Sequence, residues 1–387
     1  MRRTALTIGW GLYLASSWTW CIGMFLPILM LRWWGWPGFM AFAVPNVLGC
    51  TLFGYVLTPE SSRALVARFR VWIAIFGAAT IAYQIGFLLK MGVTAALVTA
   101  LPVTLLLLVS ARRGSERSDR AMMAILACAW IASGLLFARF GPGALANLPA
   151  AGTLPPASLA WAAPFMAFGF LLCPYLDPTF HLALQRAPSR HAFAVFGAAF
   201  TVMLLFTAAW FDPATGLVSM DGERLWGAPV VLWQWGLQAA CTIVAVAAAM
   251  QSLEPVWSLG RPRVLLPGVT LMACLALGGP YLAESSLPAL AEALNPPSGA
   301  VRGEATYLRW LGLYGVLFPG VLLLGLRRVP GVVAAVAIIA AGILAELGMI
   351  GGRMPLLLGA TAAMLLAALW TSRASAETSE IAPADGR

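Results

Sequence analysis

The chain has 387 residues, 61% of them hydrophobic and 10% charged, where a soluble domain carries about 25% charged residues. With a mean hydropathy of +0.86, this composition excludes a water-soluble fold and fits helices that face lipid. Two histidines exclude the imidazole-rich sites of haem and copper enzymes, and the net charge of +9, carried almost entirely by Arg, reads as loop charge that orients a membrane protein, not as a nucleic-acid surface.

Runs of about 20 apolar residues mark membrane spans. Twelve are expected in chain order, at 5–31, 37–58, 69–90, 93–110, 119–138, 157–176, 190–211, 229–250, 263–283, 305–326, 330–350 and 354–371. The first follows Arg2 and Arg3 but is longer than the apolar core of a signal peptide, so it is read as a retained helix. Arginines cluster in alternate loops (Arg63, Arg68 and Arg70; Arg112, Arg113, Arg117 and Arg120; Arg186 and Arg190; Arg261 and Arg263; Arg327 and Arg328). The opposite loops hold Asp212, Asp221 and Glu223, or Glu284, Glu292 and Glu304. The positive-inside rule then puts both termini in the cytoplasm.

Among the outer loops, 139–156 is rich in Gly, Pro and Ala, and 212–228 carries the turn signals Asp212-Pro213 and Asp221-Gly222. Leu287, Leu290 and Leu294 predict a short surface helix within 284–304. The chain reads as one transmembrane domain over 1–371, with a disordered cytoplasmic tail over 372–387. Cys21, Cys50, Cys128, Cys173, Cys241 and Cys274 stand singly in apolar runs, as small buried hydrophobes and not as disulfides or metal ligands.

Ala41-Phe42-Ala43-Val44 in span 2 recurs as Ala192-Phe193-Ala194-Val195 in span 7. A repeat of five spans is odd-numbered and therefore inverted across the membrane. It brings repeat one, about 5–138, over repeat two, about 157–326, and leaves two extra helices over 330–371. Spans 1 and 6 become the paired elements. Span 1 contains Ser16-Ser17-Trp18-Thr19-Trp20-Cys21-Ile22-Gly23 and Pro27, and span 6 contains Gly169 and Cys173-Pro174-Tyr175-Leu176-Asp177-Pro178. Small, hydroxylated and Pro residues at mid-depth predict non-helical breaks at 17–23 and 169–175.

With Ser16-Ser17-Trp18-Thr19-Trp20 and Pro45-Asn46-Val47-Leu48-Gly49, this five-plus-five plan resembles the amino acid, polyamine and organocation transporter superfamily, closest in outline to the sodium:solute symporters. The resemblance implies a central site lined by spans 1, 3, 6 and 8. Its substrate-binding candidates here are Trp18, Thr19, Trp20, Tyr83, Gln84, Tyr175, Gln234 and Gln238. No charged residue lies at mid-depth in these spans, which favours a neutral or zwitterionic solute. Trp18, Trp20, Trp233 and Trp235 serve equally as an aromatic box or as interface anchors. The bland alternative for every polar group is a helix-to-helix hydrogen bond.

The resemblance also implies a sodium site built from span 1 carbonyls and span 8 hydroxyls. Span 8 offers Thr242 without an adjacent Ser or Thr, which leaves sodium coupling, proton coupling and facilitated transport open. Ser17, Thr242, Asp177 and Glu346 are the ion-coupling candidates. Asp177 and His181, four apart, form either a proton relay or an N-cap beside a histidine that points to the cytoplasmic headgroups. Asp177 before Pro178 favours the cap. Glu346 is either functional or paired, with Arg309 as its partner.

The phosphate-binding loop GxxxxGK[ST], the metalloprotease HExxH and the nucleophile elbow GxSxG are missing. The expected function is therefore secondary transport in the cytoplasmic membrane, without a cofactor beyond a coupling ion. The alternatives are a transporter-like sensor or assembly factor without turnover, and an intramembrane enzyme.

Overall fold

The computed structural model describes residues 2–19, 21–90, 131, 134, 135, 138, 148–209, 211, 212, 217, 218, 227–253 and 304–380. Expected spans 4 and 9, most of span 5, and the surface helix within 284–304 lie outside the described residues.

Twelve α-helices are described: α1 (Arg2–Trp18), α2 (Cys21–Trp34), α3 (Trp36–Val56), α4 (Pro59–Lys90), α5 (Pro156–Leu172), α6 (Pro178–Arg186), α7 (His191–Ala208), α8 (Gly227–Ser252), α9 (Glu304–Gly312), α10 (Phe318–Leu326), α11 (Gly331–Met349) and α12 (Pro355–Glu380). One 3-10 turn, Cys173–Leu176, follows α5, and one wide π-type turn, Leu313–Leu317, joins α9 to α10. Proline starts four of the helices, where its fixed φ suits the first turn and its missing N–H has no helical partner to lose. Six of these segments are long and apolar enough to cross a membrane, and the bent pair α1 and α2 makes a seventh. The chain is a multi-pass α-helical membrane protein.

Hydropathy locates the helix ends well. The span expected at 37–58 is α3. In α4 the helix starts before the expected span, at Pro59, but Phe69 has non-helical backbone angles (φ −106°, ψ 19°). The kink separates an Arg-bearing first segment from the apolar run. The loop expected after span 7 closes on a two-residue antiparallel pair, β1 (Phe211–Asp212) with β2 (Leu217–Val218). The tail departs from expectation, because α12 stays helical to Glu380. Nothing between Thr371 and Glu380 is Gly or Pro, and Ala374, Ala376 and Glu377 are good helix formers.

Contacts sort the helix ends onto two sides. The Arg3 guanidinium donates to Pro188 O (3.0 Å) and the Arg68 guanidinium to Gly325 O (2.6 Å), joining segments expected on one side. On the other side, residues 149–154 lie along the end of α2. Trp36 N donates to Pro149 O (2.8 Å), Thr153 N to Arg32 O (2.9 Å) and Leu154 N to Trp33 O (2.7 Å). Gly35 makes that approach possible: its φ is +66°, and a Cβ there would lie 2.6 Å from Pro149 O.

One apolar core joins α1–α8 with α9, α10 and the inner faces of α11 and α12. Helix α11 is the most peripheral, with Val332, Val336, Ile339 and Ile343 turned outward to meet lipid. Close approach of α3 and α5 depends on Gly49, whose Cβ would lie 2.6 Å from Phe170 O and 2.8 Å from Leu171 Cα. Backbone cannot yield as a side chain can. Gly49→Ala is expected to cost about 1–3 kcal/mol through overpacking, seen as a lower melting temperature in detergent. Gly342→Ala, with nothing within 4 Å of the new methyl, is expected to be neutral or slightly stabilising.

Candidate functional site

The break expected in span 1 is present. Helices α1 and α2 meet at 61°, and Thr19 falls between them. A helix end leaves carbonyls without intrahelical donors. Here the Thr242 hydroxyl of α8 reaches them, 2.9 Å from Ser16 O and 3.5 Å from Thr19 O, while also lying 3.0 Å from Gln238 O. One proton serves one strong bond at a time, so three carbonyl oxygens share a single hydroxyl.

In span 6 the helix departs from α geometry slightly later than expected, over Cys173–Leu176, and Asp177 is extended (φ −79°, ψ 120°). Pro174 and Pro178 explain the shift, since each lacks the N–H that would continue the ladder and Pro178 biases Asp177 away from helix. Asp177 Oδ1 accepts from Thr179 N and from Thr179 Oγ1, both at 2.6 Å. This is the expected N-cap. Thr179 Oγ1 also lies 2.9 Å from Ser17 Oγ, so the cap of α6 is bonded to the end of α1. With the Thr179 proton committed to the carboxylate, the Ser17 hydroxyl divides its own between Thr179 Oγ1 and Leu14 O (2.9 Å). The second oxygen of Asp177, Oδ2, is buried without a hydrogen bond among the described residues.

His181 corrects an expectation, because it is fully buried and does not reach the headgroups. Its Nδ1 lies 2.8 Å from Ser62 Oγ and its Nε2 3.0 Å from Tyr175 O. The carbonyl accepts only, so Nε2 carries the proton and Nδ1 accepts from Ser62. Gln185 Nε2 donates to the same Ser62 oxygen (3.0 Å). Helix α6 is thus held by α4 at one end and α1 at the other, and Asp177 and His181 form no acid/base pair.

The expected pocket residues divide. Trp18 Nε1 donates to Asn46 Oδ1 (2.8 Å), and its ring meets Phe180 edge-on. The Thr19 hydroxyl is spent on Ala15 O (2.7 Å). Tyr83 is drawn away from the junction, its hydroxyl donating to Tyr307 O (3.0 Å) and its ring stacking on Trp310. Gln84 is fully buried on α4. Tyr175 is partly buried beside Phe53. Trp20 and the side chains of Trp233, Gln234 and Trp235 lie outside the described residues.

Gln238 stands apart from the others. It is fully buried, one turn from Thr242, and among the described residues neither Oε1 nor Nε2 has a hydrogen-bond partner. The structure therefore gathers Ser16, Ser17, Thr19, Asp177, Thr179 and Thr242 where α1, α6 and α8 meet, with Gln238 one turn along. Asn46, Ser62 and Thr179 were missed by sequence reasoning. Asn46 sits inside a quoted motif, and Thr179 is at the position whose amide an N-cap Asp addresses. Ser62 carries no signal at all.

Glu346 is far from this junction in role. Arg309 Nε and Nη2 both donate to its Oε1, at 3.0 and 2.7 Å. Because the two side chains are 33% and 43% exposed, Glu346→Gln is expected to cost about 1 kcal/mol or less, with any solute response intact in a thermal-shift titration. Among the described residues no three His, Cys, Asp or Glu side chains group as metal ligands, and Cys50, Cys173 and Cys241 are buried free thiols. A hard cation would instead have Ser16 O, Thr19 O, Gln238 O and Thr242 Oγ1, neutral oxygens of the kind such ions prefer. No protein-family model, curated protein or solved structure matches the chain.

Proposed function

We propose that this protein is a secondary transporter of a small neutral or zwitterionic organic solute in the cytoplasmic membrane, built on an inverted five-plus-five plan. The observation that carries the reading is the Gln238 amide. A buried amide with neither atom bonded is costly, and a ligand with one donor and one acceptor would relieve both atoms at once. Its place beside the break of span 1 is where half-helix ends offer further polar groups.

Support for the plan comes from the way helices pair. Helix α1 packs on α7 and α5 on α3, α1 packs on α8 and α6 on α4, and α3 meets α7 as α4 meets α8. Exchanging spans 1, 2 and 3 with spans 6, 7 and 8 carries each of these six pairings into another of them, whereas the packing of α2 on α3 has no counterpart of similar extent between spans 6 and 7. The oxygens around Thr242 are the candidate site of a coupling cation.

A second reading, a transporter-like sensor or assembly factor without turnover, draws on Trp18 and Tyr83, whose polar atoms are each satisfied across a helix contact. One experiment separates them. Purified protein is screened for thermal stabilisation by solutes, with and without sodium and at two pH values, and each stabilising solute is tested for uptake into proteoliposomes. Stabilisation with uptake supports the transporter, and stabilisation without uptake supports the sensor. If no solute stabilises the protein, the transporter and the solute sensor both fall and the assembly factor is left.

A further inference from the structure

Apart from the polar junction, a cavity of about 30 Å³ lies between α2, α5, the Leu313–Leu317 turn and the residues joining α11 to α12. That is about twice the least space a single water needs. Its wall is apolar throughout, with Leu26, Met30, Phe165, Met166, Leu311 and Leu357 among the lining residues. The two lining side chains with polar atoms placed by hydrogen bonds have them committed elsewhere: the Tyr314 hydroxyl lies 3.1 Å from Thr80 Oγ1, and Trp34 Nε1 donates to Ser158 Oγ (2.7 Å). Ordered water needs two to four polar partners, and this wall offers none.

Missing side chains bring two walls of the cavity together at one edge. Gly169 and Gly315 face each other so closely that a Cβ on Gly169 would lie 3.0 Å from Gly315 Cα. The wide turn that presents Tyr314 and Gly315 is a geometry often found at functional sites. Met30, Met166, Met349 and Met354 supply four flexible thioether walls, which reshape around an apolar guest more readily than branched side chains do. Met349 and Met354 also flank the exposed turn at Gly351, Gly352 and Arg353, so the wall reaches to within a few residues of the protein surface.

We propose that this cavity is a binding site for the methyl end of a hydrocarbon chain. A void of this kind loses dispersion contacts on all its walls, and only an apolar group restores them without stranding a polar atom. The inference is independent of the solute proposed above. An occupant would touch α2, α5 and the wide turn together, and so would hold the outer half of span 1 against the first half of span 6.

The test uses the full chain in phosphatidylcholine vesicles and two photoreactive probes. One is phosphatidylcholine with a diazirine at the end of an acyl chain, and the other is a short alkane bearing a diazirine, added from water. After irradiation, adducts are mapped by mass spectrometry. Adducts are expected on Met30, Met166 or Met349 in addition to lipid-facing Val336 and Ile339. Ala162→Phe, which fills the cavity from α5, is expected to lower the cavity adducts at least fivefold and leave those on Val336 unchanged. Leu357→Phe fills it from α12 and serves if the first variant does not fold. Cavity labelling by the lipid probe identifies a membrane acyl chain as the guest, and labelling by the alkane alone identifies a free apolar molecule. Adducts confined to lipid-facing residues with both probes, or cavity adducts that survive both substitutions, overturn the proposal.

Discussion

Gln238→Leu is expected to make the protein more stable while removing its response to solute. Leucine keeps most of the volume and removes two buried polar atoms that have no partner. Each such atom carries a desolvation cost of about 1–3 kcal/mol, so the expected gain is about 2 kcal/mol or more, read as a higher melting temperature. A buried amide that costs the fold stability is what a solute-binding role at this position predicts. The same variant should show no stabilisation by any solute that stabilises the parent and no uptake of it. A lower melting temperature would mean that the amide is bonded in the folded protein, and the main support for a site beside Thr242 would be gone.

The second large effect is expected at the joint between the two breaks. Thr179→Val keeps the shape but deletes the hydroxyl that bonds both Asp177 and Ser17. A bond to a charged group contributes about 1.5–3 kcal/mol and a neutral one about 1, so the loss should be about 3 kcal/mol. Ser17→Ala alone should cost about 1 kcal/mol. In the double variant the costs should fall short of additivity, because the Ser17 to Thr179 bond is counted in both single changes. Additive losses would mean that α1 and α6 are not coupled through these hydroxyls. Serine at 179 restores the hydroxyl and should recover most of the stability.

The sequence made helix positions legible because span length is set by bilayer thickness and apolar runs record it directly. The break after Trp18 and the cap at Asp177 were also legible, since each depends on local backbone chemistry, whereas nothing in the sequence marked the kink at Phe69. Partners across the fold were not. A helix that is apolar all round lacks the polar stripe that tells which face turns outward, so its rotation is not written in its periodicity. Ser62 and His181 meet across 119 residues, and Trp18 finds Asn46 across 28. The resemblance makes Tyr83 of span 3 a candidate for the central site, whereas rotation of α4 delivers it to Tyr307. Depth along a helix can be counted from sequence, but azimuth cannot.

The two halves of span 1 are each fastened to a different half of span 6. Trp34 of α2 is bonded to Ser158 of α5, and Ser17 of α1 to Thr179 of α6. The four half-helices therefore form two pairs, each made of one piece of span 1 and one piece of span 6 and held by a lateral hydrogen bond. Both departures from helical geometry, at Thr19 and at Asp177, lie between the two pairs. A rearrangement at either break would move one pair against the other and leave both lateral hydrogen bonds intact.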